Sequence, residues 1–110
     1  MDPELDITVD KIAEVIILAR ELDRAEPEFN AFVGGLTEEE QASLVAVMWI
    51  GRESYDADEL EEAKKMAVQE ASTPTVDYLK GTPHLADHLE NGLDALGISA
   101  GAEEDEIIRP

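Results

Sequence analysis

Apolar residues recur along the chain at spacings of three and four, and each such run predicts a helix with one buried stripe. Ile12, Val15, Ile16, Ala19 and Leu22 form the first, with Thr8 placed to cap it, so a helix is expected near residues 9 to 24. Glu26-Pro27 then breaks the pattern, because a residue before proline avoids helical geometry. The stretch "PEFNAFVGG" is expected to be a connection, with Phe29 and Phe32 folding back over the core and Gly34-Gly35 marking the turn.

Thr37 followed by Glu40 is a capping box, and "QASLVAVMWI" after it is apolar around most of a helical circumference, with Gly51 as the expected C-terminal cap. A helix without a polar face has to be covered on all sides, so this second helix is predicted to be the buried central one. Asp56 and Glu59 form a second capping box that opens a third helix to about Ala71. Its inner stripe reads Leu60, Ala63, Ala67 and Ala71, with Val68 alongside and Glu61 paired to Lys65. Thr73-Pro74 and Thr82-Pro83 each suggest a cap followed by proline at the first helical position. The first opens a short helix with Val76, Tyr78 and Leu79, ending at Gly81. The second opens a last helix with Leu85, Leu89, Leu93 and Leu96 inside, ending at Gly97. The expected fold is all-α, one small domain over residues 1–97 with four main helices and one short one, followed by an acidic tail over 98–110.

Composition narrows the function classes more than the fold. Of 110 residues 27 are acidic and eight are Lys or Arg, a formal net charge of -19 that repels phosphate backbones and anionic headgroups. Direct nucleic-acid and membrane binding are therefore not expected. The acids are spread along the chain, which leaves acidic mimicry of DNA open as an alternative. There is no cysteine, which removes disulfides and thiolate sites and fits a reducing compartment. The runs Val15 to Ala19 and Leu44 to Ile50 are far shorter than the roughly twenty residues of a membrane span, and "MDPELD" lacks the basic start of a signal peptide. A cytoplasmic location is the expectation.

His84 and His88 stand one helical turn apart and could chelate a divalent ion. A catalytic zinc needs three protein ligands, however, and "HLADH" carries Leu85 where a metalloprotease helix carries glutamate. On a helical wheel His88 falls at the edge of the apolar face and His84 farther toward solvent, so an exposed polar face accounts for the pair. No metal and no other cofactor is expected. Gly34-Gly35 is not a phosphate cradle, since Glu38, Glu39 and Glu40 fill the helix start an anion would use. Ser43, Ser54, Ser72 and Ser99 lie in no nucleophile elbow.

The most distinctive cluster is "MWIGRESY", which gathers Trp49, Gly51, Arg52 and Tyr55 at one helix-to-loop junction. Trp49 is expected in the core. Arg52 is expected either to bond the open carbonyls at the helix end or to pair with a carboxylate. Ile17 projects from the polar side of the first helix. With Leu18 beside it, and Ile107-Ile108 in the tail, a monomer or a weak, salt-favoured dimer is expected.

"EEEQASLVAVMWIGR" followed by "TVDYLKGTPHLADHLENGLDALG" resembles the bacterial family of domain of unknown function 3775, with the likeness running over roughly residues 9 to 97. The resemblance implies a small helical domain and transfers no activity, ligand or catalytic residue. His84 and His88 are not motif positions in that pattern, whereas Trp49, Gly51, Arg52, Tyr78 and Gly81 are. Trp49, Arg52, Tyr55 and Tyr78 are accordingly the candidate binding residues. The function expected is a non-catalytic module that binds or regulates through an unidentified protein or small molecule. The alternatives are a small enzyme with a carboxylate-based site and the DNA mimic. An enzyme should show a pocket of converging acids with Arg52, and a module a flat or grooved patch.

Overall fold

The computed structural model describes residues 5–70 and 74–98. The described residues form six α-helices and one 3-10 turn, with no strand among them. The helices are α1 (Val9–Arg20), α2 (Leu22–Gly34), α3 (Glu38–Gly51), α4 (Leu60–Gln69), α5 (Thr75–Lys80) and α6 (Leu85–Ala95). The 3-10 turn, Ala57–Glu59, leads into α4. The all-α expectation holds, but six helices replace four main ones plus one short. The predicted tail from 99 onward, the Thr73 cap, Ser72 and the Ala71 end of the third helix lie outside the described residues.

α3 is the centre. Every residue from Ala42 to Ile50 is buried, and α6 and α4 pack on it most extensively, with α5 also in contact. The Thr37 capping box forms as expected: Thr37 Oγ1 accepts from the Glu40 amide at 3.1 Å and Glu40 Oε1 accepts from the Thr37 amide at 2.9 Å. The only buried polar side chain among the described residues, Ser43, is also accounted for. Its hydroxyl accepts the Asp6 amide at 3.1 Å, so the N-terminal strand of chain that buries Ile7 is fastened across α3.

The connection expected after Glu26-Pro27 is instead a helix. α1 stops at Arg20, one turn short of the predicted end, and α2 starts at Leu22. Ala25 has φ −111° and ψ 19°, outside the helical region, so Pro27 falls in the first turn of a fresh helical stretch, where its missing N–H is not needed. The proline thus restarts a helix rather than ending one. That stretch buries Phe29 and Val33 completely, with Phe32 partly buried against the same core. Gln41 secures the turn into α3, its Nε2 donating to the carbonyls of Val33 at 2.9 Å and Leu36 at 3.3 Å.

Three other expectations change in detail. Val68 is 62% exposed rather than alongside the inner stripe, which Leu60, Ala63 and Ala67 do form. Glu61 pairs with Lys64 at 2.7 Å, not with Lys65, because the Lys64 ammonium lies between Glu61 and Asp6. Thr82 does not cap α6. Its hydroxyl donates back to the Tyr78 carbonyl at 2.9 Å, closing α5, and α6 begins three residues later, at Leu85, behind His84. Ile17 is exposed as expected, whereas Leu18 packs partly on the core, which shrinks the apolar patch imagined beside it.

The two principal helix ends use the same reverse turn with different residues. At α6 the amides of Ile98 and Gly97 reach the carbonyls of Leu93 (2.7 Å) and Asp94 (3.0 Å), with Gly97 at φ +79°. At α3 the amides of Ser54 and Glu53 reach Trp49 (2.9 Å) and Ile50 (3.0 Å), but the left-handed residue is Glu53, at φ +68°. Gly51, expected to cap this helix, is its last helical residue. A glutamate at positive φ carries backbone strain of about 1 kcal/mol. Glu53→Gly is therefore expected to raise stability by about 1 kcal/mol over Glu53→Ala, which removes the same charge but keeps the strain. Urea denaturation of the two variants checks this, and equal midpoints would contradict it.

Glu40 joins three interactions, since its carboxylate also pairs with Lys11 of α1. The Lys11 hydrogen bond, then the Thr37 amide, hold its pKa below the ordinary 4.5. A depressed carboxylate stabilises the fold above its unfolded-state pKa, and that contribution disappears as pH falls through the folded-state value. Glu40→Gln keeps the cap and removes the charge. Its deficit against the parent protein should be present at pH 7 and vanish near pH 3, as read from denaturation midpoints.

Candidate functional site

Of the four residues named from sequence, three meet. Trp49 is buried to 8% exposure near the end of α3, and its indole N–H donates to the Tyr78 hydroxyl of α5 at 2.9 Å. Tyr55, in the loop after α3, stacks on the Trp49 ring with centroids 5.7 Å apart and planes at 22°. The cluster joins α3, its following loop and α5, which is first a packing role. Arg52 does not do what was expected of its side chain. Its backbone amide closes the helix on Met48, while its guanidinium Nε donates to Ser54 Oγ at 3.1 Å and makes no ion pair among the described residues. Arg52 is exposed and Tyr55 half-buried.

Gly51 and Gly92 explain how this junction is built. α3 and α6 cross with their backbones almost touching. A Cβ on Gly51 would lie 2.6 Å from the His88 carbonyl carbon and 2.7 Å from the Gly92 nitrogen, and a Cβ on Gly92 would lie 2.8 Å from Val47 Cγ1. The crossing needs glycine for space, not for unusual dihedral angles.

His84 and His88 are placed differently. His84 is exposed, at φ 58° and ψ 34°, and heads α6 without capping it through its side chain. His88 is half-buried and its Nδ1 lies buried without a hydrogen-bond partner. Among the described residues, no three His, Asp or Glu side chains gather in a way that could hold a metal ion. No described helix is long and apolar enough to cross a membrane.

A groove that sequence reasoning missed opens where the C-terminal ends of α1 and α5 approach the N-terminal end of α6. Its volume is about 230 Å³, and Arg20, Lys80, Thr82, His84 and Asp87 supply its polar lining over a floor that includes Leu79 and Leu85. Arg20 pairs with Glu90 of α6, and Lys80 with Glu26 at 3.0 Å. Each cation is the last-turn basic residue of its helix. In sequence that position reads as an ordinary complement to the helix dipole, so nothing there signalled a shared site. The only acid in the lining is Asp87, and Arg52 is not part of it.

A family model described as "Protein of unknown function (DUF3775)" matches residues 26–98, more than half of the 110. The chain belongs to the DUF3775 family. The match begins within α2 and runs through α6, including the Trp49 cluster and the Gly51–Gly92 crossing. It leaves α1 outside, although the resemblance read from sequence reached back to about residue 9. No curated protein and no solved structure gives a significant match. Of the groove's two cations, Arg20 lies outside the DUF3775 span and Lys80 within it, as does His84.

Proposed function

We propose that this DUF3775 protein is a non-catalytic binding module and that the groove between α1, α5 and α6 is its recognition site. The observation that supports this is the placement of Arg20, Lys80 and His84 around one concavity, in a chain with only eight Lys and Arg against 27 acids. A concave site with a few convergent polar groups over an apolar floor is what small-ligand recognition requires. The lining offers donors for an anionic group and a single carboxylate, which favours holding a ligand over general acid–base chemistry on it. On this reading the protein works in the cytoplasm as a monomer, or in weak, salt-dependent equilibrium with a dimer.

The second reading uses Arg52 and the aromatic cluster. Arg52, exposed and without a carboxylate partner among the described residues, follows the helix whose Trp49 meets Tyr55 and Tyr78, a combination suited to docking a protein partner that carries an acidic side chain.

A two-dimensional NMR titration with a panel of small neutral and anionic metabolites separates the two. The expected hits perturb amides of residues 82–87 first, are recovered chemically unchanged after prolonged incubation, and lose their effect in Arg20→Gln/Lys80→Gln. Perturbations centred on residues 52–55 and 78 would move the site to the aromatic face. Consumption of a hit would make the protein an enzyme.

A further inference from the structure

Resting on the groove reading above, we infer that the ligand's recognised group is a phosphate, carried by a small molecule and held between Arg20, Lys80 and the head of α6. The cavity and its two cations support this first. Arg20 and Lys80 reach the same concavity from different helices, yet in the structure each engages a separate carboxylate, Glu90 and Glu26. A ligand carboxylate would only repeat those pairs, in competition with groups already tethered at high effective concentration. A phosphate monoester brings close to two charges and three strong acceptor oxygens, enough to satisfy a guanidinium and an ammonium at once and still accept further donors.

Those further donors are present. His84 contributes an exposed imidazole to the groove lining, and its side chain does not cap the first-turn amides of α6. The helix end therefore presents N–H groups and the positive end of its dipole to the same space. Asp87 opposes binding, because its carboxylate shares the lining. Size restricts the rest of the molecule. About 230 Å³ lies below the range of ordinary ligand pockets, which suits a phosphate on a stem of a few carbons. A nucleic-acid strand would bring many phosphates to a body of charge -19, so a polymer is disfavoured.

The test uses the full chain, labelled with ¹⁵N, in a phosphate-free buffer at constant ionic strength, titrated separately with inorganic phosphate, acetate and succinate. Inorganic phosphate is expected to shift the amides of Leu85, Ala86 and Asp87 saturably, with a Kd of about 1 mM, and acetate to produce no saturable shift. Arg20→Gln and Lys80→Gln should each weaken phosphate binding roughly tenfold. Glu26→Gln/Glu90→Gln, which releases both cations, should tighten it several-fold, and so should Asp87→Asn. The releasing variant keeps the test decisive if either cation proves necessary for folding. Unchanged phosphate affinity in that variant, or saturable phosphate shifts away from residues 82–87, would overturn the inference. Succinate binding at these amides without phosphate binding would overturn it too, while leaving the groove as a binding site. Silence of the groove to every small molecule tested would defeat the groove reading itself.

Discussion

Gly51→Ala is expected to lower the melting temperature by about 12 °C or more, although alanine is the better helix former. In an exposed helix the exchange would stabilise by about 1 kcal/mol. Here the new methyl meets backbone, at 2.6 Å from the His88 carbonyl carbon and 2.7 Å from the Gly92 nitrogen, and backbone cannot rotate aside as a side chain does. α3 and α6 would have to separate, which loosens the contact between the central helix and its most extensive neighbour. Overpacking of a core costs about 1–3 kcal/mol and occasionally more, and three close backbone atoms place this site at the upper end. For a domain of this size each kcal/mol is about 4–8 °C. Gly92→Ala should act in the same direction, its methyl lying 2.8 Å from Val47 Cγ1 and 3.0 Å from the Val47 carbonyl carbon. Calorimetry of the two variants is the check. An unchanged or raised melting temperature in Gly51→Ala would mean that the helices do not approach this closely.

Phe29→Ala should cost about 3–5 kcal/mol, the usual range for a fully buried phenylalanine. Phe29 is 0% exposed, and it sits in the helical stretch that packs α2 on α1 and α5. Phe32, three residues on, is only partly buried, so Phe32→Ala should cost distinctly less. The contrast separates a helix that belongs to the core from a connection lying over it. Chemical denaturation, with the dependence on denaturant compared between variants, gives both numbers. If the two substitutions cost the same, within about 0.5 kcal/mol, α2 is a loose cover and the expectation from sequence was nearer the truth.

Why α2 was read as a loop is a question of which signal proline carries. Glu26-Pro27 marks a discontinuity, and a discontinuity is there, at Ala25. Sequence alone could not say whether the chain resumes a helix afterwards. "PEFNAFVGG" is too short to establish a period, and the burial that makes Phe29 and Val33 helical partners comes from α1 and α5. Thr82 illustrates the same ambiguity in miniature. A hydroxyl before a proline can open the next helix or close the previous one, and only the Tyr78 carbonyl within reach decides for the latter.

The local rules performed well where each concerned a few adjacent residues. Capping boxes, the glycine that follows α6 and the buried α3 depend on spacing within one helix, and spacing is written in the chain. Membership in the DUF3775 family was likewise visible in motifs spread over that same chain. Trp49, Tyr55 and Tyr78 were singled out together, although their hydrogen bond and ring stack join residues up to 29 positions apart.

Sequence by itself determined that the protein is all-α, centred on α3 and strongly acidic, because helix periodicity, an unbroken apolar run and charge are local or additive properties. Tertiary structure alone decided why Gly51 and Gly92 are glycines and where the scarce positive charge is gathered. Gly51 reads as a helix cap until α6 is laid across it. Arg20 and Lys80 read as two unrelated helix ends until α1, α5 and α6 bring them to one groove. Both facts belong to distances between segments 41 to 60 residues apart, and no rule of spacing along one helix reaches that far.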